Sequence, residues 1–366
     1  MILVLKKGKP TATNNPEWLF IEGPPGSGKT CISLHIVNAL IGREVVKPLV
    51  LIYNNSLLGY LRSSFEELGL KDSVTINTKD KFFWSLKKQF NIQIDNNASY
   101  EEKQRAILNE LINKEIDLEY SIVILDEIQD FTELEWRFLK KLSNRFILLG
   151  DFEQRIYKAD LDKTTILNVS KHKLLSKIFR FGEKIAKLVQ IFSTSKKDLT
   201  TQVNRRDTIT PILQDCKDIN EENQEIADII NARRNDGKRI AVISINKDRL
   251  EQVHSYLESQ GIEHLHAPNP SDFSNYDFSS NTPVLITSAS AKGLEFSTVI
   301  VTGFDKGSPA VWGFKTHGGF EENIYVCLSR ATDHLYVLRN PNTVQELKNL
   351  HQTEENNENE DPEVWF

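Results

Sequence analysis

The segment Gly23-Pro-Pro-Gly-Ser-Gly-Lys29-Thr30 constrains the fold more than any other stretch of the chain. It follows an apolar run, Trp18–Glu22, and opens a helical pattern, Thr30–Leu40. Strand, glycine-rich turn and helix in that order make a phosphate cradle. The glycines let backbone amides point inward, and the helix N-terminus adds the positive end of its dipole. Gly23, Pro24, Gly26, Ser27 and Gly28 would form the loop. Lys29 would neutralise β/γ-phosphates and Thr30 would ligate Mg²⁺. A nucleotide triphosphate site at the carboxyl end of a parallel sheet is the expectation.

The remainder of the chain keeps that style. Leu49–Tyr53, Ser121–Asp126 and Phe146–Leu149 read as buried strands, with a helix over Ser56–Leu68 between them. Ser99 with Glu102 and Thr132 with Glu135 have the spacing of capping boxes. Further on, Arg239–Ile245, Val284–Thr287, Val299–Thr302 and His334–Leu338 read as strands, and Lys247–Gln260 as a helix. Alternating strands and helices argue for an α/β fold with mostly parallel sheets. A chain of 366 residues exceeds what one core usually serves, so two such units are expected. The break falls near Ala159–Ser170, giving domains at 1–165 and 166–345 and an acidic, disordered tail at 346–366.

A composition that is 39% hydrophobic and 26% charged, with 17 Gly and 12 Pro, excludes collagen-like and wholly disordered classes. No apolar stretch approaches the roughly 18 residues that span a bilayer. Met1–Leu5 is too short for a signal peptide, so a cytoplasmic protein is expected. Cys31, Cys216 and Cys327 lie far apart and indicate neither a disulfide framework nor a cysteine metal site. The net charge of −6 is uneven. Glu354–Phe366 holds six acidic residues and no basic one, whereas Lys163–Arg206 holds eleven Lys/Arg against Glu183 and Asp198. The basic segment suits a polyanion, and equally suits a solvated surface balanced elsewhere in space.

Ile122-Val-Ile-Leu-Asp126-Glu127 supplies the second half of a hydrolytic site, an apolar strand delivering two carboxylates at its end. Asp126 would hold Mg²⁺ through water, and Glu127 would orient and deprotonate the attacking water. Asp126-Glu127-Ile-Gln129-Asp and Gly150-Asp151-Phe-Glu-Gln154-Arg-Ile-Tyr157 then follow, and here the sequence resembles the UvrD/Rep-type superfamily 1 helicases. The resemblance continues in order through Ile178-Phe179-Arg180, Thr287-Ser-Ala-Ser-Ala-Lys292-Gly293-Leu294-Glu295-Phe296 and Tyr325-Val-Cys-Leu-Ser329-Arg330-Ala331.

The resemblance implies two RecA-like P-loop motor domains that hydrolyse ATP in the cleft between them and move along single-stranded DNA, 3′ to 5′. By the same resemblance, Gln129 and Gln154 would sense the γ-phosphate. Arg180 and Arg330 would act as arginine fingers, and Phe179 would stack on the nucleotide base. Glu295 would bond the ribose, with Gly293 giving close backbone approach. Tyr53, Asn54, Thr78, Tyr157 and Thr287 would meet the nucleic acid. Phe83 and Trp84, near Lys81, Lys87 and Lys88, read either as further contacts or as core. The chain departs from the family where Ala289 replaces a histidine, and where no adenine-reading glutamine segment precedes the loop in Met1–Pro16. About 34 residues separate Trp84 from Glu119, and 17 separate His266 from Val284, in the two places where the family carries accessory domains. A motor core without them is expected. An ATP-switched subunit serving a partner such as a nuclease stands as the alternative, and RNA as the alternative strand.

Overall fold

In the computed structural model, residues 17–42, 47–53, 55–118, 120–152, 160–193, 198–206, 209–269, 272 and 280–351 are described. Asn54, Gln154 and Tyr157, residues 1–16 and the tail from 352 lie outside them. None of the described helices is long and apolar enough to cross a membrane.

The first body is built in chain order from β1 (Glu17–Glu22), α1 (Lys29–Ile41), β2 (Pro48–Ile52), α2 (Asn55–Glu67), β3 (Thr75–Thr78), α3 (Lys79–Gln89), α4 (Tyr100–Asn113), β4 (Ile122–Leu125), α5 (Glu133–Leu139), β5 (Arg145–Gly150), α6 (Lys163–Leu167) and β6 (Lys171–Leu174). Its six strands run in the order β3-β2-β4-β5-β1-β6, all parallel, with Phe20 opposite Leu148 and Ile124 opposite Ile147. Alternate residues feed two cores. Phe20, Leu49, Leu51, Val123, Leu125 and Leu148 pack on one face, and Ile21, Val50, Ile52, Ile124 and Leu149 on the other. A strand buried on both faces is apolar throughout, which is why these runs were legible.

β7 (Ile178–Gly182), α7 (Glu183–Val189) and β8 (Val203–Arg205) follow, β7 and β8 forming a small parallel pair. The second body comprises β9 (Ile212–Asp215), α8 (Ile219–Arg233), β10 (Ile240–Ser244), α9 (Lys247–Ser259), β11 (Leu265–Ala267), β12 (Val284–Thr287), α10 (Ser288–Ala291), β13 (Phe296–Val301), α11 (Pro309–His317), α12 (Phe320–Leu328), β14 (Ala331–Arg339) and α13 (Gln345–Lys348). Its sheet order is β11-β12-β10-β13-β14-β9, again all parallel. Ile178 and Phe181 of β7 pack into the core on one face of this sheet, so the small pair belongs with the second body.

Three expectations shift. β6 pairs with β1, so the first sheet takes its last strand beyond residue 165, and the passage between bodies lies at 175–177. Leu347 and Leu350 are buried in the second core, so residues 346–350 belong to the folded body rather than to a tail. Phe83 is fully buried with Phe82 and Leu86 against Ile107, Leu108 and Leu111. α3 and α4 therefore cover one face of the first sheet, and Phe83 is core rather than a nucleic-acid contact. Both capping boxes form, at Ser99 with Glu102 and Thr132 with Glu135.

Candidate active site between the two sheets

The loop after β1 turns sharply enough that Gly26 and Gly28 take positive φ, 71° and 85°. At Gly26 the requirement is also steric, because an added Cβ would sit 2.2 Å from the Cβ of Arg180. Phe179 donates its backbone N–H to the Gly26 carbonyl at 2.9 Å, docking β7 directly on the loop. Lys29 lies buried at the head of α1 and donates to the carbonyls of Gly23 (2.7 Å) and Pro24 (3.2 Å). The Ser27 hydroxyl is buried without a hydrogen-bond partner. A buried donor without a partner carries a desolvation cost of about 1–3 kcal/mol, which an oxygen-rich ligand would relieve. Thr30 Oγ1 donates to Asp126 Oδ2 at 3.0 Å. A hydroxyl and a carboxylate so paired form the oxygen donor set that Mg²⁺ takes.

β4 ends at Leu125 and delivers Asp126 behind Thr30 and Glu127 into the cleft. Glu127 has φ 56° and ψ 48°, a left-handed conformation that a non-glycine residue holds only where its surroundings enforce it. Gln129 helps to enforce it. Its Nε2 donates to Glu127 Oε2 at 2.6 Å, while its Oε1 accepts from the Asp151 N–H at 3.0 Å, tying Glu127 to the end of β5. The two carboxylates titrate in opposite directions. Burial, and then the neighbouring Glu127 charge, push Asp126 up to about 7. Burial acts on Glu127 in the same sense, but Lys292, Lys29, the Gln129 hydrogen bond and Arg330 outweigh it and hold the carboxyl below its usual range. Glu127 is therefore the ionised member, the one able to accept a proton.

The cations come from the second body. A cleft of about 280 Å³ is lined by residues 25–31, Leu57 and Glu127 from the first body, and by Phe179, Arg180, Arg239, residues 293–295 and Arg330 from the other side. Arg180 Nε donates to Glu295 Oε2 at 3.0 Å. Arg330 is 1% exposed and donates to the carbonyls of Val326 and Leu294 and to Ser329 Oγ. Burial, and then the Arg180 charge, push its guanidinium down to about 9. Phe179 is 56% exposed, its ring open to the cleft. Lys292 reaches across from the segment after α10 to form a buried ion pair with Asp130, directly beyond Glu127 and Gln129.

The structure thus brings Gly26, Ser27, Gly28, Lys29, Thr30, Glu127, Phe179, Arg180, Gly293, Glu295 and Arg330 to one cleft. Asp126 stands behind Thr30. Glu295 pairs with Arg180 through Oε2, and its half-exposed side chain lines the cleft. The candidates for nucleic acid are less open. Thr78 and Thr287 are buried and accept from Lys81 N and Ser290 N, capping α3 and α10. Tyr53 is half-buried, with Lys79 Nζ 5.1 Å above its ring. Sequence reasoning gave no role to Arg239, or to Lys292, whose charge acts on Glu127 more strongly than any other cation. Lys292 stands within a quoted motif, but its partner lies 162 residues away.

Residues 10–160 match the family of the AAA domain. No curated protein matches the chain. Among solved structures, the chain is similar to the C-terminal domain of a possible DNA helicase from Lactobacillus plantarum WCFS1 (15% identity, 47% of this chain and 94% of that one, TM-score 0.35). It is also similar to the PRRSV helicase (14% identity, 88% of this chain and 52% of that one, TM-score 0.41). A third is the arterivirus nonstructural protein 10 helicase, solved with DNA (12% identity, 88% and 60%, TM-score 0.43). The chain spans about half to three fifths of the two viral proteins.

Proposed function

We propose that the chain hydrolyses ATP with Mg²⁺ in the cleft between its two sheets and couples the reaction to movement along single-stranded DNA, in the 3′ to 5′ sense of the UvrD-type enzymes it resembles. The observation that carries this reading is the single cleft in which a phosphate loop and a strained, ionised Glu127 face Arg180 and Arg330 from the other body. The orphaned Ser27 hydroxyl and the Thr30–Asp126 pair fit a phosphate oxygen and a hard cation. Mg²⁺ bound by Thr30 and Asp126 would neutralise charge on the phosphates. Lys29 and the loop amides hold the β/γ-phosphates, and Phe179 offers a face to the base. Glu127, fixed by Gln129, accepts the proton of the attacking water. Arg180 and Arg330 place positive charge opposite the charge that builds on the transferring phosphoryl group.

Because the cations belong to one body and the phosphate loop to the other, occupation of the cleft favours closure, and release of product favours opening. Alternation of the two moves the body surfaces along a strand. Packing of α3 and α4 into the first core leaves no separate duplex-facing domain among the described residues. That observation favours a second reading, an ATP switch that serves a partner and separates duplexes poorly alone. Each base-pair step costs about 1.4 kcal/mol to open, and something must hold the junction while the motor advances.

The test compares steady-state ATP consumption with no nucleic acid, single-stranded DNA, RNA and duplex, alongside strand separation of a 3′-tailed duplex at single turnover. Stimulation by single-stranded DNA above all others, with weak separation by the lone chain, is the expected result. Stimulation by RNA instead moves the substrate, and indifference to every strand leaves only the switch.

A further inference from the structure

Far from the nucleotide cleft, α9 and β11 bring three histidines and two glutamates together at the edge of the second sheet. Glu251 and His254 lie one turn apart on α9, and His264 and His266 lead into and along β11. Glu251, His254 and His266 each place one potential ligand atom within 4.8 Å of the others. None of these residues lines the cleft, and none has a part in the hydrolysis described above.

The hydrogen bonds fix which ring nitrogens are bare. His264 Nδ1 stands 2.7 Å from the Ile262 carbonyl, an atom that can only accept, so Nδ1 carries the hydrogen. In neutral His264, Nε2 is then a lone pair. It lies 2.8 Å from His254 Nδ1, which must donate to it. His254 Nε2 is left as a lone pair, 3.6 Å from Glu258 Oε1. His266 makes no hydrogen bond that fixes its tautomer. Its Nδ1 is 3.6 Å from Glu251 Oε2, its Nε2 is buried with no hydrogen-bond partner, and its ring stacks on that of His254 at 4.5 Å. The His254 lone pair faces the Glu258 carboxylate, a repulsion that a bound cation, or a proton on Nε2, relieves. A ligating histidine whose other nitrogen is oriented by a further acceptor is the arrangement seen around bound metals.

We propose that Glu251, His254 and His266 bind one divalent transition ion of the zinc class, with His264 as the residue that positions His254. Two imidazoles and a carboxylate suit zinc better than Mg²⁺ or Ca²⁺, which prefer oxygen throughout. Bonds of about 2.0–2.2 Å in tetrahedral array put ligand atoms about 3.3–3.5 Å apart. The site must therefore contract by up to about 1.4 Å, through rotation of the exposed Glu251 side chain and a turn of the His266 ring out of its near-parallel stack on His254, so that both imidazole planes meet at one ion. The bound ion pins α9 to the edge strand β11. Two residues past His266, the carbonyl of Pro268 accepts from Thr287 at the head of α10.

The test is Zn²⁺ competition against a chromophoric chelator, using the full chain without a histidine tag and with excess Mg²⁺ to fill oxygen sites. It is accompanied by the visible spectrum of the Co²⁺ form and by thermal melting. One ion per chain with micromolar or tighter affinity, intense four- or five-coordinate Co²⁺ bands and a raised melting temperature are expected. Glu251→Gln and His254→Gln should each weaken Zn²⁺ binding by at least about 10²-fold, more than the loss of an orienting neighbour. His264→Gln should weaken it about 10- to 100-fold while stoichiometry and Co²⁺ bands persist. Glu251 is exposed, so its variant keeps the test alive if a histidine variant fails to fold. A wild-type chain that retains no Zn²⁺, or one whose affinity Glu251→Gln and His254→Gln leave unchanged, overturns the site. So does a titration showing that His254 simply takes up a proton between the glutamates with no metal competing for it.

Discussion

The two bodies meet at the cleft with opposite chemistry. The first contributes the buried Asp126 and Asp130 and the half-buried Glu127, three carboxyls within five residues of chain, together with Lys29 of the phosphate loop. The second contributes Arg180, Arg330 and Lys292, which are separated in sequence and gathered by folding. Burial acts first on all three carboxyls, and the second set pulls Glu127 and Asp130 back toward ionisation. Asp130 is pushed up to about 6, chiefly by burial and against the pull of Lys292, whereas Glu127 is held down by Lys292, Lys29 and Arg330. The cations that offset the burial of Glu127 come from both bodies, Lys29 from the first and Lys292 and Arg330 from the second. Separation of the bodies would take Lys292 and Arg330 away from Glu127 together with part of its burial, two changes that move its pKa in opposite directions.

The sharpest way to break this division is to remove a cation from the second body without disturbing the phosphate loop. Arg180→Ala should lower the maximal rate of ATP hydrolysis by about 10³-fold or more, the effect typical of an arginine that meets a transferring phosphoryl group. Nucleotide affinity, read by equilibrium titration, should change far less. A rate within a few-fold of wild type would mean that charge from the second body does not reach the reacting group.

Lys292→Met probes the same boundary through stability. Removing one member of a buried pair leaves the other uncompensated, at a cost of about 3–5 kcal/mol. The dependence on pH has a definite sign. Asp130's pKa lies near 6 in the folded chain against an ordinary 3.8, so ionising it costs stability as pH rises through that window, and Lys292 offsets the cost. Urea melts of the variant should approach wild type below about pH 5 and fall furthest behind above about pH 7. A deficit that does not change with pH would show that the lysine acts by packing alone.

Within the first body, Glu127→Gln should lower hydrolysis by about 10²-fold while leaving ATP binding nearly intact, since it removes the proton acceptor and keeps the cradle. Lys29→Ala should instead weaken binding itself. Paired binding isotherms and single-turnover rates distinguish the two, and a Glu127→Gln chain hydrolysing at wild-type rate would remove that residue from the mechanism.

The difference between the bodies also explains what could be read from sequence. Glycines 23, 26 and 28, Lys29, Thr30, Asp126 and Glu127 occupy short contiguous motifs because one loop and one strand end must hold their ligand by local geometry. Central strands such as β2, β4, β10 and β12 were legible because both faces are buried and the whole run is apolar. Edge strands were not. β6 is Lys-His-Lys-Leu, exposed throughout, and β3 is Thr-Ile-Asn-Thr, mostly half-buried, so neither carries a continuous hydrophobic signal. Arg180 and Arg330 were reached through resemblance rather than spacing. Lys292 shows why that route was needed, since a buried cation is recognisable only once the chain has brought Asp130 to it.

The smallest effect belongs to Phe179, and it tests whether the second body contributes contact as well as charge. The ring is exposed, and the strand that carries it is docked on the loop through backbone atoms, from Phe179 N to Gly26 O, so truncation should leave folding untouched. Stacking of a base on an aromatic ring contributes about 1–3 kcal/mol. An open ring sits at the low end, so Phe179→Ala should weaken ADP binding by about fivefold, the equivalent of about 1 kcal/mol. Tripolyphosphate, which has no base, should bind the variant and the wild type alike. Because stacking uses the face common to all bases, GDP should lose as much as ADP. Equal losses for ADP and tripolyphosphate would place the defect in the loop that Phe179 braces, and would leave the second body with electrostatics as its whole contribution to the cleft.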